Sequence, residues 1–415
     1  MIKKIFIQLN LIIILSASLS ATGGSVYTRY GIGDLKLYNS ARQVGLAGSG
    51  IAHFQRDYLA ASNPASWGAI DLTRFTASVS FNGFDLSENS NSAFYSETDF
   101  SGVLIGVPVS NDYGISIVGG LVPYSNVNYE VFTENQSDIF GDYTVNYSGD
   151  GGLSKVFLGA SYTLPFGLHI GASYEYYNGK TDYLTDLQFE QATDFKNSKY
   201  ELSLKSTGIG FTIGMISPDF AKFLDIDGIS NLKLGATYNV IPPLSVDSVF
   251  SSDNSLGFRE ISSTGFERDI PSRLGVGLSV TWKQNYTFLF DYVNQKFSEF
   301  SVNAKTLPHL RDFNRFSLGF EYRHASGRFG STWDQMVWRA GLSYEETPYY
   351  INNTGVDEMA AYAGFSVPLG IDNTIDFGFK YGIRGKTENN LIKENIFAAF
   401  ITLSFGDLWF VRPDR

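Results

Sequence analysis

The chain has 415 residues, 43% of them hydrophobic and 15% aromatic, with a formal net charge of −11 and no cysteine. An acidic balance of this kind does not suit a nucleic-acid backbone, which needs a basic face. The absence of cysteine removes disulfides, thiolate chemistry, sulfur-bound zinc and a lipidated N-terminal cysteine.

The N-terminus reads Met1-Ile2-Lys3-Lys4, followed by an apolar run from Ile5 to Leu15 and small residues from Ser16 to Ala21. Basic, then apolar, then small is the layout of a secretory signal peptide, so residues 1–21 are expected to be cleaved after Ser20 or Ala21. The apolar run is short for a bilayer span, and no later stretch reaches eighteen consecutive apolar residues. Residues 22–71 show neither a continuous amphipathic helix nor a clean strand. Their centre, Ala41 to Trp67, is rich in Gly, Ala and Ser and contains Asn63-Pro64-Ala65. Such a segment, placed just before the strands, is expected to be a compact plug inside whatever the strands build.

From Leu72 a period of two takes over. Phe75, Ala77, Val79 and Phe81 share one face, with Thr76, Ser78, Ser80 and Asn82 on the other. Leu158, Ala160 and Tyr162 alternate with Gly159, Ser161 and Thr163. Ile170, Ala172 and Tyr174 alternate with Gly171, Ser173 and Glu175, and Leu234, Ala236 and Tyr238 alternate with Gly235, Thr237 and Asn239. In a soluble sandwich the apolar face would be a shared core; in a membrane barrel it meets lipid while the small or polar face lines the lumen. Export, long strands, faces ending in Tyr, Phe or Trp, and the want of a helix to cover a sheet favour the barrel. Fourteen strands are expected, with cores near 73–86, 98–109, 112–130, 142–164, 167–190, 199–217, 230–249, 260–283, 285–300, 312–325, 334–347, 358–369, 373–386 and 392–405. Short turns such as Asn111-Asp112, Pro165-Phe166-Gly167 and Asp372-Asn373 would face the periplasm. Longer connections, Ser87 to Thr98 and Lys386 to Leu391, would face outside. The third strand carries Gly119, Gly120 and Pro123, a bend and a lost ladder donor. Either Pro123 lies beyond the bilayer, or the wall is open there.

The plug with its Asn63-Pro64-Ala65 turn resembles the N-terminal region of the FadL-type outer-membrane transporters. The tail, Tyr381-Gly382-Ile383-Arg384-Gly385, Ile392-Lys393-Glu394-Asn395 and Gly406-Asp407-Leu408-Trp409-Phe410, resembles the closing hairpin of the hydrophobic-compound transport barrels of the Bacteroidetes kind. The resemblance implies an all-β, 14-stranded antiparallel transmembrane β-barrel over residues 72–415, with an N-terminal hatch (22–71) in its lumen. It further implies capture of a hydrophobic or amphipathic small molecule near the mouth, passage beside the hatch and lateral exit through a kinked third strand. The alternative within the same resemblance is a barrel that holds exported proteins, as in type IX secretion.

Enzyme signatures are missing. His53, His169, His309 and His324 are scattered with no metal-ligand spacing, there is no Gly-x-Ser-x-Gly elbow, and Gly45-Leu46-Ala47-Gly48-Ser49-Gly50 follows no buried strand. Asp225-Ile226-Asp227-Gly228 lacks the spacing of a calcium loop. Neither a cofactor nor a metal is expected. Arg29, Arg42 and Arg56 lie in the plug, where guanidinium groups could take the carboxylate of an amphiphile or tether the plug to carboxylates such as Asp34 and Asp57. Expected surroundings are outer-membrane lipid and lipopolysaccharide, with a hydrophobic small molecule as substrate, or a secretion partner in the alternative reading, and no nucleic acid.

Overall fold

The structure, a computed structural model, describes residues 23–88, 91–137, 141–189, 196–224, 226–324, 331–370 and 372–408. The expected signal peptide, Asp225, Trp409 and Phe410 lie outside the described residues.

Alternating Val, Ile, Phe and Tyr with Ser, Thr and Gly makes strands, and each strand pairs antiparallel with its sequence neighbour. They are β1 (Thr73–Glu88), β2 (Asn91–Ser110), β3 (Ile115–Ser137), β4 (Gly141–Thr163), β5 (His169–Phe189) and β6 (Ser198–Ile216). Two interrupted strands follow, β7 (Ile229–Val240 with Leu244–Asn254) and β8 (Gly257–Asp269 with Arg273–Trp282). The circuit continues through β9 (Tyr286–Gln295), β10 (Phe313–Arg323), β11 (Val337–Ile351), β12 (Thr354–Pro368), β13 (Thr374–Arg384) and β14 (Lys393–Asp407). β14 pairs with β1 from Lys393 opposite Ser87 to Asp407 opposite Thr73, which closes a fourteen-stranded barrel.

The closed ring leaves no edge within the bilayer, and its apolar side faces out. Leu158 is 62% exposed, whereas Ser161 on the opposite face is 4% exposed. Ile170, Tyr174, Phe211, Tyr238, Phe316, Leu342 and Ile401 continue the outward belt. The chain is an outer-membrane barrel. Short turns, the start of β1 and the end of β14 share one rim, which is the periplasmic side by the usual rule for such barrels.

Three expectations need correction. Residues 87–98 do not form a long loop: β1 and β2 meet in a tight hairpin with Glu88 opposite Asn91, and β2 runs unbroken to Ser110. Beyond the bilayer a strand needs no apolar outer face, so the polar run Ser87 to Thr98 hid its pairing. The seventh and eighth strands are each broken, at Ile241-Pro242-Pro243 and Ile270-Pro271-Ser272. Proline lacks the donor a ladder needs. The breaks face one another, and Ile241 and Ile270 turn into the interior.

Candidate functional site: the lumen and its N-terminal segment

Residues 23–71 pack against inward-facing side chains of the barrel. Ser25 Oγ donates to both carboxylate oxygens of Glu394 at 2.8 Å. Arg384 donates to Asp34 at 2.8 Å. The short helix Ala41–Gly45, capped by Ser40, has its first N–H on Thr402 Oγ1 at 2.7 Å. The N–H groups of Gly50 and Ile51 converge on Asp291 Oδ2 at 2.7 and 2.9 Å. Thr402, Asp291 and Glu394 are all buried.

Close approach of this segment is allowed by inward glycines on β13, β11, β10, β7, β6 and β5. Gly378, Gly341, Gly319, Gly235, Gly214 and Gly171 touch the segment's own backbone or its Asn63 side chain. A Cβ at Gly235 would stand 2.5 Å from Ile51 O, and one at Gly319 would stand 2.8 Å from Leu46 O. No real Cβ sits so close, so the glycines form a belt on which the segment's backbone lies.

Asn63 caps the short 3₁₀ helix Pro64–Ala69. Its Oδ1 accepts from Ala65 N at 3.0 Å, and its Nδ2 donates to Ile51 O at 2.6 Å and Met215 O at 3.3 Å. The Asn63-Pro64-Ala65 turn therefore joins two stretches of the segment to β6. Trp67, buried behind it, donates to Ala60 O at 2.6 Å and stacks on Phe157. Asn63→Ala removes the cap and two donors, so docking of residues 50–70 should weaken by about 2 kcal/mol. Amide exchange of that stretch, followed by mass spectrometry, reads the loss.

The three arginines of the segment are not brought together. Arg42 is buried between Asp57 (3.1 Å) and Glu321 (3.2 Å), over the Tyr58 ring. Arg56, half-exposed at the periplasmic rim, faces Asp71 (3.2 Å) and Asp372 (3.6 Å). Arg29 is exposed and lies over the Tyr30 ring at 5.0 Å. Arg323 also reaches Asp57, at 2.7 Å, and Arg339 reaches Glu321 at 2.8 Å. Burial alone would raise the Asp57 carboxyl, but Arg323 and Arg42 outweigh it and hold it well below the usual carboxylate range. With a depressed folded value, this anchor contributes fully above the ordinary carboxylate pKa and is lost only as pH falls through the folded one. His53, which the scattered histidines gave no reason to single out, is buried edge-on to Tyr58, and burial pushes it down to about 4, so it is neutral at neutral pH.

Other cations surround a central cavity of about 100 Å³. Lys36, Lys155, Arg273 and Arg315 line it, beside Asp291 and the apolar Leu37, Val122 and Tyr124. Lys155 is paired with Glu175 at 2.7 Å and Lys36 with Asp99 at 3.0 Å. Arg273 donates through Nε to Gln295 and lies over Tyr124. These residues escaped the sequence reading, although Lys155 shares the inward face with Ser161 and that parity was the available signal.

The wall is not uniformly paired. β2 and β3 share a ladder only from Val103 opposite Leu121 to Ser110 opposite Ile115. Beyond Leu121, β3 continues along β4 with a register shift at Pro123/Ser125, and its other side meets Asp34–Leu35 of the N-terminal segment at Asn126 and Ser125. A cavity of about 200 Å³ lies there, lined by Ser80, Asp99, Phe100, Ser101, Pro123 and Ser125 among others. Gly119 faces outward beside Leu158. Gly120 faces inward, where a Cβ would stand 2.6 Å from Val103 O and 3.1 Å from the Phe157 ring, so it serves close packing. Above the cavities, Ile32, Tyr124, Leu153, Tyr177, Phe297 and Phe300 form an apolar cluster. Phe297 and Phe300 come from the β9–β10 connection, so the chain fills its own upper lumen.

The family model of BamG matches residues 1–414. The chain belongs to the BamG family. Solved structures with the same fold include the CymD monoaromatic hydrocarbon channel (16% identity, TM-score 0.57, covering 90% of this chain and 98% of that one). A Pseudomonas aeruginosa FadL homologue is similar at 12% identity and TM-score 0.58, covering 88% and 97%. The P. putida toluene transporter TodX is similar at 14% identity and TM-score 0.58, covering 91% and 100%. At such identities the likeness is one of fold: this BamG-family chain has the barrel fold of the FadL-type outer-membrane proteins. No curated protein matches the sequence.

Proposed function

We propose that this BamG-family barrel carries a hydrophobic or amphipathic small molecule, of the fatty-acid or aromatic-hydrocarbon kind, across the outer membrane and releases it sideways between β2 and β3. The observation that supports this reading is the ladder that stops at Leu121 beside a cavity of about 200 Å³. Among the described residues the β2 edge beyond Val103 has no strand beside it on that side, and it lies at the outer end of the apolar belt, where an opening in the wall meets the lipid interface. In this reading residues 22–71 are the hatch, Asn63-Pro64-Ala65 is its fixed turn, and Pro123 marks the exit. A carboxylate headgroup would meet Arg273 at the central cavity before Arg42 or Arg56, because Arg42 and Arg56 already face carboxylates, as does the neighbouring Arg315, with Glu345 at 3.6 Å.

Ser101 is buried in β2 at the break, and its hydroxyl has no partner. Ser101→Trp should fill the opening and lower uptake of labelled fatty acid or toluene about tenfold, at matched surface levels and with unchanged heat-modifiable migration on gels. Uptake equal to that of the parent would sink lateral release at this place. A second reading, a barrel that holds a partner protein and passes no small molecule, draws on the filled upper lumen around Phe297 and Phe300. It predicts that cells with and without the barrel take up the labelled compounds equally.

A further inference from the structure

Four cations line the central cavity, and three of them are already matched. Lys36 faces Asp99 at 3.0 Å, Lys155 faces Glu175 at 2.7 Å and Arg315 faces Glu345 at 3.6 Å. Arg273 faces no carboxylate among the described residues. Its Nε donates to Gln295 Oε1 at 2.9 Å and its guanidinium lies 4.8 Å from the centre of the Tyr124 ring, which leaves Nη2 buried without a partner.

The strand register sets an unmatched acceptor beside this donor. Arg273 on β8 is opposite Asn239 on β7 and Gln295 on β9, so the three form one inward row. Asn239 is 8% exposed. Its Nδ2 donates to Glu175 Oε2 and Thr212 Oγ1, both at 2.9 Å, and its Oδ1 has no partner. Two rows toward the periplasm, Asp291 stands opposite Gly277. Its Oδ2 accepts from Gly50 and Ile51, while Oδ1 has no partner although the residue is 2% exposed. Arg273, Asn239 and Asp291 all line the same cavity. An unpaired buried donor or acceptor costs free energy, so such a site favours a guest that satisfies both kinds. A hydrocarbon satisfies neither. A plain carboxylate satisfies Arg273 and turns its own lone pairs toward the two acceptors.

We propose that the central cavity binds the headgroup of an amphiphile that carries a carboxylate and, close beside it, a hydrogen-bond donor, either hydroxyl or ammonium. The carboxylate takes Arg273, and the donor takes Asn239 Oδ1 or Asp291 Oδ1. As a statement about substrate this rests on the transport reading above, and it narrows that reading to substituted acids, with plain hydrocarbons such as toluene ranked below them. A site built to hydrogen-bond a substituent rejects the analogue lacking it more strongly than an apolar pocket rejects an added group. The cavity, about 100 Å³, is of headgroup size. It shares Lys36, Tyr38 and Pro123 with the cavity of about 200 Å³ beside the β2–β3 opening. Leu37 and Val122, next to those residues in the chain, are apolar and give a tail its course toward the wall.

The test is equilibrium dialysis of the full-length barrel in lipid nanodiscs, with empty nanodiscs as the blank. The probes are decanoate, 3-hydroxydecanoate, 3-aminodecanoate and toluene. At least one substituted acid should bind about tenfold more tightly than decanoate, and toluene more weakly than any of the acids. Arg273→Gln should weaken all three acids about tenfold and leave toluene unchanged, with heat-modifiable migration as the check on folding. Asp291→Asn keeps an acceptor for Gly50 and Ile51 and tells the two donors apart. Loss of the amine's advantage in that variant assigns an ammonium at Asp291, and a retained advantage of the hydroxy acid assigns a hydroxyl at Asn239. Decanoate bound as tightly as both substituted acids, toluene bound as tightly as the acids, acids bound unchanged by the Arg273→Gln barrel, or no binding at all would each overturn the proposal. Uptake by cells is read separately: selective binding without uptake would count against transport and leave the headgroup site standing.

Discussion

Leu158→Arg should destabilise the barrel by about 2–4 kcal/mol in lipid vesicles. Leu158 lies in the outward series Val156, Leu158, Ala160, Tyr162 of β4, one row inside the last apolar row, and its neighbours on that face are Tyr174 and Gly119. A guanidinium there meets hydrocarbon and must snorkel past at least one apolar row to reach water. The informative comparison is an inward position with room. Ser161 does not qualify, because it is buried and donates to Gly114 O at 3.1 Å. Ser80 does, since it borders the cavity of about 200 Å³ beside Asp99. Ser80→Arg should cost well under half as much. Urea-induced unfolding of both variants decides the matter, and equal costs on the two faces would contradict lipid on the outside.

Gly171→Val should dislodge the N-terminal segment without opening the barrel ladder. The added Cβ would stand against the Pro64 carbonyl and 2.6 Å from Ala65 N. Neither can yield cheaply, because Asn63, next in the chain, is held to Ile51 O and Met215 O. Overpacking of this kind costs about 3 kcal/mol, on the order of a hundredfold in the population with the segment displaced. The expected readouts are protease cleavage within residues 23–71 and ion conductance in planar bilayers, while heat-modifiable migration stays normal. Gly119→Val is the control. Its Cβ points outward, with Phe157 O at 3.2 Å and Leu158 at 3.4 Å, and should leave the segment in place. A closed, protease-resistant Gly171→Val barrel would show that the belt tolerates side chains and that the segment is held by its polar anchors alone.

The sequence by itself determined the strands and which side of each meets lipid. Leu158 against Ser161, and Tyr174 against Ser173, are contrasts between residues a few positions apart, and a period of two is a local property of the chain. The number of strands followed from the same rhythm. Pro242-Pro243 and Pro271 were also there to be read as breaks, but a proline at a strand end and one inside a strand look alike until the partner strand is known. Pairing of Ser87 to Thr98 was hidden because a strand outside the bilayer carries no apolar outer face. The lumen was decided only by tertiary structure. Ser25 meets Glu394, and Gly50 meets Asp291, across hundreds of residues, and Arg42 could not be assigned to Asp57 and Glu321 rather than to a ligand without knowing what lies across the barrel. The glycines at 171, 214, 235, 319, 341 and 378 looked like small lumen residues in each strand taken alone. They became a belt only when closure of the ring set them at successive places around one segment, because steric exclusion acts between atoms close in space, and closeness in space is what a linear pattern does not record.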